Sequence, residues 1–251
     1  MTAKTFLVFL IFSLNPTGAS PQEQKPSQRH DSVTVSAGIS KEQLALEDQL
    51  NGLILNADEL LRNGNTVDAI KQYESALDFV HKQPLLEEQK SHVMKKLARG
   101  YVVGNRAADA VPIYSNLLAE KKPCQSESTA DTDCASLQYS LGLAQIYALD
   151  FQGALFSFQS AEANYAKSAK LSNIHEIMMV DLMNQAQSKT YIAVALFRVG
   201  KTAEAVTTIK TAIPLLNRVQ SDENLQISIR DEAKHSLAEA NAILTRLQSV
   251  Q

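Results

Sequence analysis

One string of residues occurs four times along this chain, each time in the same phase. It reads Gly64-Asn-Thr-Val-Asp-Ala69-Ile-Lys-Gln-Tyr73-Glu-Ser-Ala76, then Asn105-Arg-Ala-Ala-Asp-Ala110-Val-Pro-Ile-Tyr114. It returns as Asp150-Phe-Gln-Gly-Ala154-Leu-Phe-Ser-Phe158-Gln-Ser-Ala161 and as Gly200-Lys-Thr-Ala-Glu-Ala205-Val-Thr-Thr-Ile209-Lys-Thr-Ala212. Each copy sets a turn residue before a small alanine and a large apolar side chain four positions after it. Four residues is one helical turn, so the alanine and the large residue share a face. From about Lys41 onward apolar residues recur at helical spacing, with breaks at Gly64, Pro84, Gly104, Pro123, Asp150 and Gly200. With only 9 Gly and 7 Pro in 251 residues, little in the composition opposes helix. The expectation is an all-α chain of paired helices.

The other half of the pattern stands on the preceding helices, as Leu97-Ala98 with Tyr101, Leu141-Gly142, Ile192-Ala193 with Leu196 and, more weakly, Ala57 with Leu60. A small residue where two helices cross lets their backbones approach, and the larger residue fills the groove beside the next pair. Together the two halves resemble the signature of the tetratricopeptide repeat family, Leu-Gly-x-x-Tyr on a first helix and Ala-x-x-x-Phe on a second. The resemblance implies an α-solenoid of about four helical hairpins over residues 41–221, with residues 222–251 as a long C-terminal capping helix. The alternative for that last helix is a dimerising role, giving a homodimer. The key alanines lie forty-one, forty-four and fifty-one residues apart, against about 34 in the family, so helices or connections must be lengthened. Pro112 and Pro214 fall just inside second helices, where a kink or an early end is expected.

Members of this family bind peptide segments or partner helices in a groove lined by first helices. Carried over residue by residue, the groove positions are Asn51, Ile54, Asp58 and Leu61, then His92, Lys95, Arg99 and Val102. Tyr139, Leu143 and Ile146 follow, and finally Thr190, Val194 and Phe197. Lys95 and Arg99 lie one turn apart and would pair with carboxylates of a partner. Tyr139, Leu143, Val194 and Phe197 would take apolar anchors, or else pack against a neighbouring helix. Some family members clamp a C-terminal carboxylate with a Lys and Asn pair, but Ile54 and Asp58 occupy those positions.

The N-terminus reads as an export address. Lys4 precedes the apolar run Phe6–Leu14, and Thr17 and Ala19 place small residues before a cut at Ser20. Residues 1–19 are thus expected to be a signal peptide, too short in its apolar core to span a bilayer. Residues 20–40 read as a disordered polar tether. In a secreted or periplasmic chain the two cysteines, Cys124 and Cys134, are expected to form a disulfide.

A net charge of −3, from 24 basic and 27 acidic residues, gives no field to draw the chain onto nucleic acid or anionic lipid. The five histidines are scattered, and His175-Glu-Ile-Met-Met179 lacks the second histidine that a zinc-protease helix needs four residues on. No nucleophile elbow, phosphate-binding loop or dinucleotide fingerprint is present. The expectation is a non-catalytic scaffold or assembly factor that binds a protein or peptide outside the cytoplasm, with no cofactor and no membrane insertion after cleavage. The alternative is a binding module that holds a small apolar ligand between helix pairs.

Overall fold

The computed structural model describes residues 40–121 and 131–250. Among the described residues there are nine α-helices, one 3-10 segment and no strand. The helices are α1 (Lys41–Arg62), α2 (Thr66–Lys82), α3 (Lys90–Val103), α4 (Ala107–Glu120) and α5 (Thr132–Tyr147). They continue as α6 (Phe151–Leu171), α7 (His175–Arg198), α8 (Thr202–Gln220) and α9 (Ile227–Ser249). The all-α class and the helix pairs are as expected. The signal peptide, all of the tether but Ser40, and Cys124 lie outside the described residues.

Two compact units divide the chain. One runs up to Asn105 and carries α1–α3; the other starts at Arg106 and carries α4–α9. The boundary falls within the second repeat of the span 41–221. Within each unit every helix packs on its neighbours in sequence, and α7 also touches α9.

Ala69, Ala110, Ala154 and Ala205 are all fully buried, and Tyr73, Tyr114, Phe158 and Ile209 four residues on are buried with them. In the second unit Phe158 of α6 lies against its own first helix at Gly142, where a Cβ would come within 2.9 Å of the ring. Its other face stacks on Tyr191 of the next first helix, with centroids 5.4 Å apart and planes 17° apart. In the first unit Tyr73 of α2 donates its hydroxyl to Asp58 of α1 and packs against Gly100 of α3. Each ring therefore joins its own first helix to the following one.

The turns that carry the chain from first to second helix are built alike. Gly64, Asn105, Leu149 and Gly200 have φ of +78°, +57°, +65° and +86°, and each stands five residues before its key alanine. In three of the turns the next residue's N–H reaches back to a carbonyl five residues earlier: Asn65 to Leu60, Asp150 to Gln145 and Lys201 to Leu196, each at 2.8 Å. That closure is the Schellman motif, which needs a left-handed residue. Glycine meets the need without strain. Leu149 meets it at a cost of about 1 kcal/mol, because its Cβ crowds the following carbonyl.

The uneven repeat spacing has three sources, one of them the eleven residues 121–131 that separate α4 from α5. The 3-10 segment Pro84–Gln89 is inserted between α2 and α3, and α6 and α7 reach 21 and 24 residues where α3 has 14. Pro112 and Pro214 do not end their helices: α4 and α8 run through them. Both prolines are exposed, as are Ala108 and Lys210 four residues before them, so the carbonyls left without a partner can turn to water. The terminal helix α9 buries Ala233, Ser236, Ala240, Ile243 and Leu247, and its opposite side shows Lys234, Ala238, Asn241 and Thr245 to solvent. This polar outer side is what a capping helix requires.

Two glycines within helices should respond to alanine in opposite directions. Gly52 in α1 has nothing within 4 Å of an added Cβ, so Gly52→Ala should stabilise by about 0.5–1 kcal/mol through helix propensity. Gly142→Ala gains the same propensity but drives a methyl into the Phe158 ring, which is held between Tyr139 and Tyr191. It should lose about 1–3 kcal/mol by overpacking. Thermal unfolding followed by circular dichroism separates the two signs.

Candidate interaction faces

In the first unit the first-helix face is made by α1 and α3. Lys95 is half-buried and Arg99 exposed on α3, four residues apart and so on one side of the helix. Neither is ion-paired among the described residues. Asp58, a groove position in the sequence reading, is already occupied: Lys96 Nζ lies 2.9 Å from its Oδ2, and the Tyr73 hydroxyl donates to its other oxygen. Its partner is thirty-eight residues away in sequence, so helical spacing could not have shown the pair.

In the second unit the first-helix face is made by α5, α7 and α9. Tyr139 of α5 meets Phe158 edge-on at 5.5 Å and Tyr191 of α7 edge-on at 5.8 Å. Leu143 and Phe197 are half-buried and packed against the main core, while Val194 belongs to that core and is only 5% exposed. The structure thus brings Tyr139 and Leu143 to one stretch of this unit, and much of their apolar surface, with that of Val194 and Phe197, is already covered by neighbouring helices.

Residues that the repeat pattern does not single out lie on the same face. Tyr191 donates its hydroxyl to Glu239 Oε1 of α9 at 3.2 Å. Gln187 Nε2 reaches Ser236 Oγ at 3.0 Å and Glu232 Oε1 at 3.4 Å. Burial is the main influence on both glutamates and raises their carboxyls above the ordinary range; the hydrogen bonds from Tyr191 and Gln187 and the proximity of His235 act more weakly in the opposite sense. Burial likewise pushes the hydroxyls of Tyr139, Tyr147 and Tyr191 up, and the charge of Glu239 adds to that shift for all three.

No family model and no curated protein matches the sequence. Solved structures do match the fold. A putative kinesin light chain from Podosopora anserina, built of nearly identical tetratricopeptide-like repeats, superposes in a single-substitution form with a TM-score of 0.55 at 18% identity, over 84% of this chain and 93% of that one. The yeast histone chaperone Hif1, described as a scaffold protein recruiting protein complexes to core histones, superposes with a TM-score of 0.50 at 12% identity, over 83% of this chain and 98% of that one. The fold is tetratricopeptide-like.

A tetratricopeptide-like array carries its chemistry on helix faces, and those of this chain hold no group of three His, Cys, Asp or Glu side chains placed to bind a metal among the described residues. No helix among them is long and apolar enough to cross a membrane. Among the described residues one carboxylate lies inside the array rather than on a face. Asp181 of α7 is only 3% exposed, and the Ser168 hydroxyl of α6 donates to it at 2.6 Å. Burial raises its carboxyl above the ordinary value, more than the Ser168 bond lowers it.

That shift fixes a direction for stability. The folded protein holds the Asp181 proton more tightly than the unfolded chain, so stability falls as pH rises from the unfolded value of 3.8 through the raised folded value. Asp181→Asn should raise the melting temperature at pH 7, because Asn keeps an acceptor for Ser168 without a buried charge. The gain over the parent should shrink as pH approaches 4, a trend that thermal melts across that range will check.

Proposed function

We propose that this protein is a non-catalytic interaction scaffold that binds partner protein segments on the first-helix faces of its two units. The observation that carries the reading is the side-chain inventory of those faces: Lys95 and Arg99 on one, and Leu143 with the tyrosines and glutamates of α5, α7 and α9 on the other. Such an inventory suits recognition of a chain segment through charge and half-exposed aromatic surface. The description of Hif1 as a recruiting scaffold points the same way.

Arg99, Leu143 and Phe156 supply a positional test. Phe156 is 73% exposed on α6, a second helix. A photo-crosslinking amino acid placed at Arg99 or Leu143 should form adducts with one and the same protein in cells, and at Phe156 it should not. Equal adducts from Phe156 would put the binding surface elsewhere. Lys95→Glu combined with Arg99→Glu should slow association with the captured protein at low salt by about tenfold or more, and should remove its salt dependence.

We propose further that the protein acts outside the cytoplasm, with the leader cut before Ser20 and Cys124 joined to Cys134; the apolar run Phe6–Leu14 after Lys4 and the pair of cysteines support this. Cys134 is buried in the first turn of α5, where its N–H donates to the capping carboxylate of Asp131 at 3.0 Å. A disulfide closing so short a loop would contribute about 2–3 kcal/mol. Protein recovered from its native compartment should begin at Ser20 and show no alkylatable thiol. A chain that starts at Met1, or two modified cysteines, would refute the export and the pairing respectively.

A further inference from the structure

We propose that the elbow between α6 and α7 is where two copies of this chain join, through a two-fold contact of Leu171, Ile174 and Ile177; the inference goes beyond the scaffold reading and does not rest on it. Three of the eleven large apolar side chains left exposed among the described residues fall within these seven positions, Leu171 at 61%, Ile174 at 55% and Ile177 at 45%. Single exposed aliphatics are ordinary on a protein surface, whereas a cluster of them marks a place that another molecule covers. Ile174 also takes the N-cap of α7. A polar side chain there would bond a free N–H of the first turn, which isoleucine cannot do. The position gives up a cap and keeps an apolar group facing water.

Helix length accounts for the exposure. Counted from corresponding residues, α6 runs seventeen residues past Ala154 where α4 runs ten past Ala110, and α7 starts eighteen residues before Ala193 where α5 starts ten before Gly142. The α6–α7 elbow therefore outruns the helices before it by seven or eight residues, about 10–12 Å at 1.5 Å per residue. Toward the elements after it the elbow is fastened: His175 Nε2 meets Asp222 Oδ2 at 2.6 Å, and Gln226 Nε2 donates to Glu176 Oε1 at 2.9 Å. These bonds tie one side of the first turn of α7 to the turn between α8 and α9. Ile174 and Ile177, three residues apart, share a different side. Ile177 stands one turn before Asp181, which meets Ser168 of α6, so Ile177 continues the α6-facing side as α6 itself runs out at Leu171.

A second copy is the occupant that this surface fits. A long elbow beside shorter helices makes a step, and two steps related by a two-fold axis interlock, each elbow lying against the other. The charges at its flanks agree with that symmetry. Lys170 on the α6 side and Glu176 on the α7 side are both exposed and opposite in sign. A two-fold axis running between them sets Lys170 of each copy against Glu176 of the other, whereas a partner of one charge would be repelled at one flank. The outer side of α9, with Lys234, Asn241 and Thr245, is polar by contrast.

Sedimentation velocity of the purified protein over about a hundredfold range of concentration tests this. A monomer–dimer equilibrium is expected. Ile174→Asp combined with Ile177→Asp should weaken it by about a hundredfold or more, and not by unravelling α7, because Asp is favoured at an N-cap and in a first turn. Leu55→Asp, at an exposed position on α1, should leave it unchanged. Lys170→Glu and Glu176→Lys should each weaken self-association about tenfold, since each sets like charges against one another, and an equimolar mixture of the two variants should pair as the parent does. All of these variants should keep the parent's helical circular dichroism. A monomer at every concentration would overturn the inference and leave the aliphatics to another occupant, the connection through residues 122–130 or a different protein. A dimer that ignores the paired isoleucine substitutions would overturn it by placing the join elsewhere, and a mixture of the charge variants that stays apart would overturn the two-fold arrangement. The crosslinks at Arg99 and Leu143 test the scaffold reading separately, so the failure of one reading is distinguishable from the failure of the other.

Discussion

The contact on which each unit depends is a single ring held between two first helices. In the second unit Phe158 lies flat against Tyr191 and edge to Tyr139, with the missing side chain of Gly142 as the space it occupies. In the first unit Tyr73 does the same with a polar end, its hydroxyl on Asp58 and its ring edge against Gly100. An aromatic group buries a large apolar area and adds specific ring geometry to it. One such residue therefore both closes a hairpin and docks the next. The buried alanine one turn earlier is the corollary, because the second helix must come close for the ring to reach across.

That contact was legible in the sequence because it repeats. An alanine followed four residues later by a large apolar residue has no meaning once and considerable meaning four times, and all four alanines are fully buried. The turns were readable only where glycine or asparagine marks them. Leu149 adopts the same left-handed backbone as Gly64 and Gly200, but leucine carries no turn signature. Nearby Asp150 drew the eye instead, and its role is to cap α6 through the Gly153 N–H at 2.9 Å. Pro112 and Pro214 were misleading for a related reason. An interior proline costs any helix a hydrogen bond, but here both helices run on, with the freed carbonyls at exposed Ala108 and Lys210 able to meet water.

The faces were less legible than the fold. Lys95 and Arg99 stand where helical spacing put them, but the partners of Asp58, Glu162 and Glu239 come from other helices, fifteen or more residues away. Nothing in a local pattern distinguishes a carboxylate that will be ion-paired from one that will be left with a tyrosine. On a long amphipathic helix such as α9, two glutamates seven residues apart look like part of its solvated side. Only the packing of α9 on α8 and α7 turns them toward Tyr191 and Gln187.

The constancy of the first-to-second turn bears on how such a chain can change. Five residues separate the left-handed position from the buried alanine in every repeat, while the path from a second helix to the next first helix is a 3-10 segment in one place and a short break at Ser172–Ile174 in another. Length has been added only on the second kind of connection or at the helix ends that flank it. The hairpin thus behaves as a fixed cassette and the joint between cassettes as the place where residues can be gained or lost. A chain of this design can drift in sequence and in repeat length until sequence comparison no longer finds its relatives, and still keep every ring in its seat.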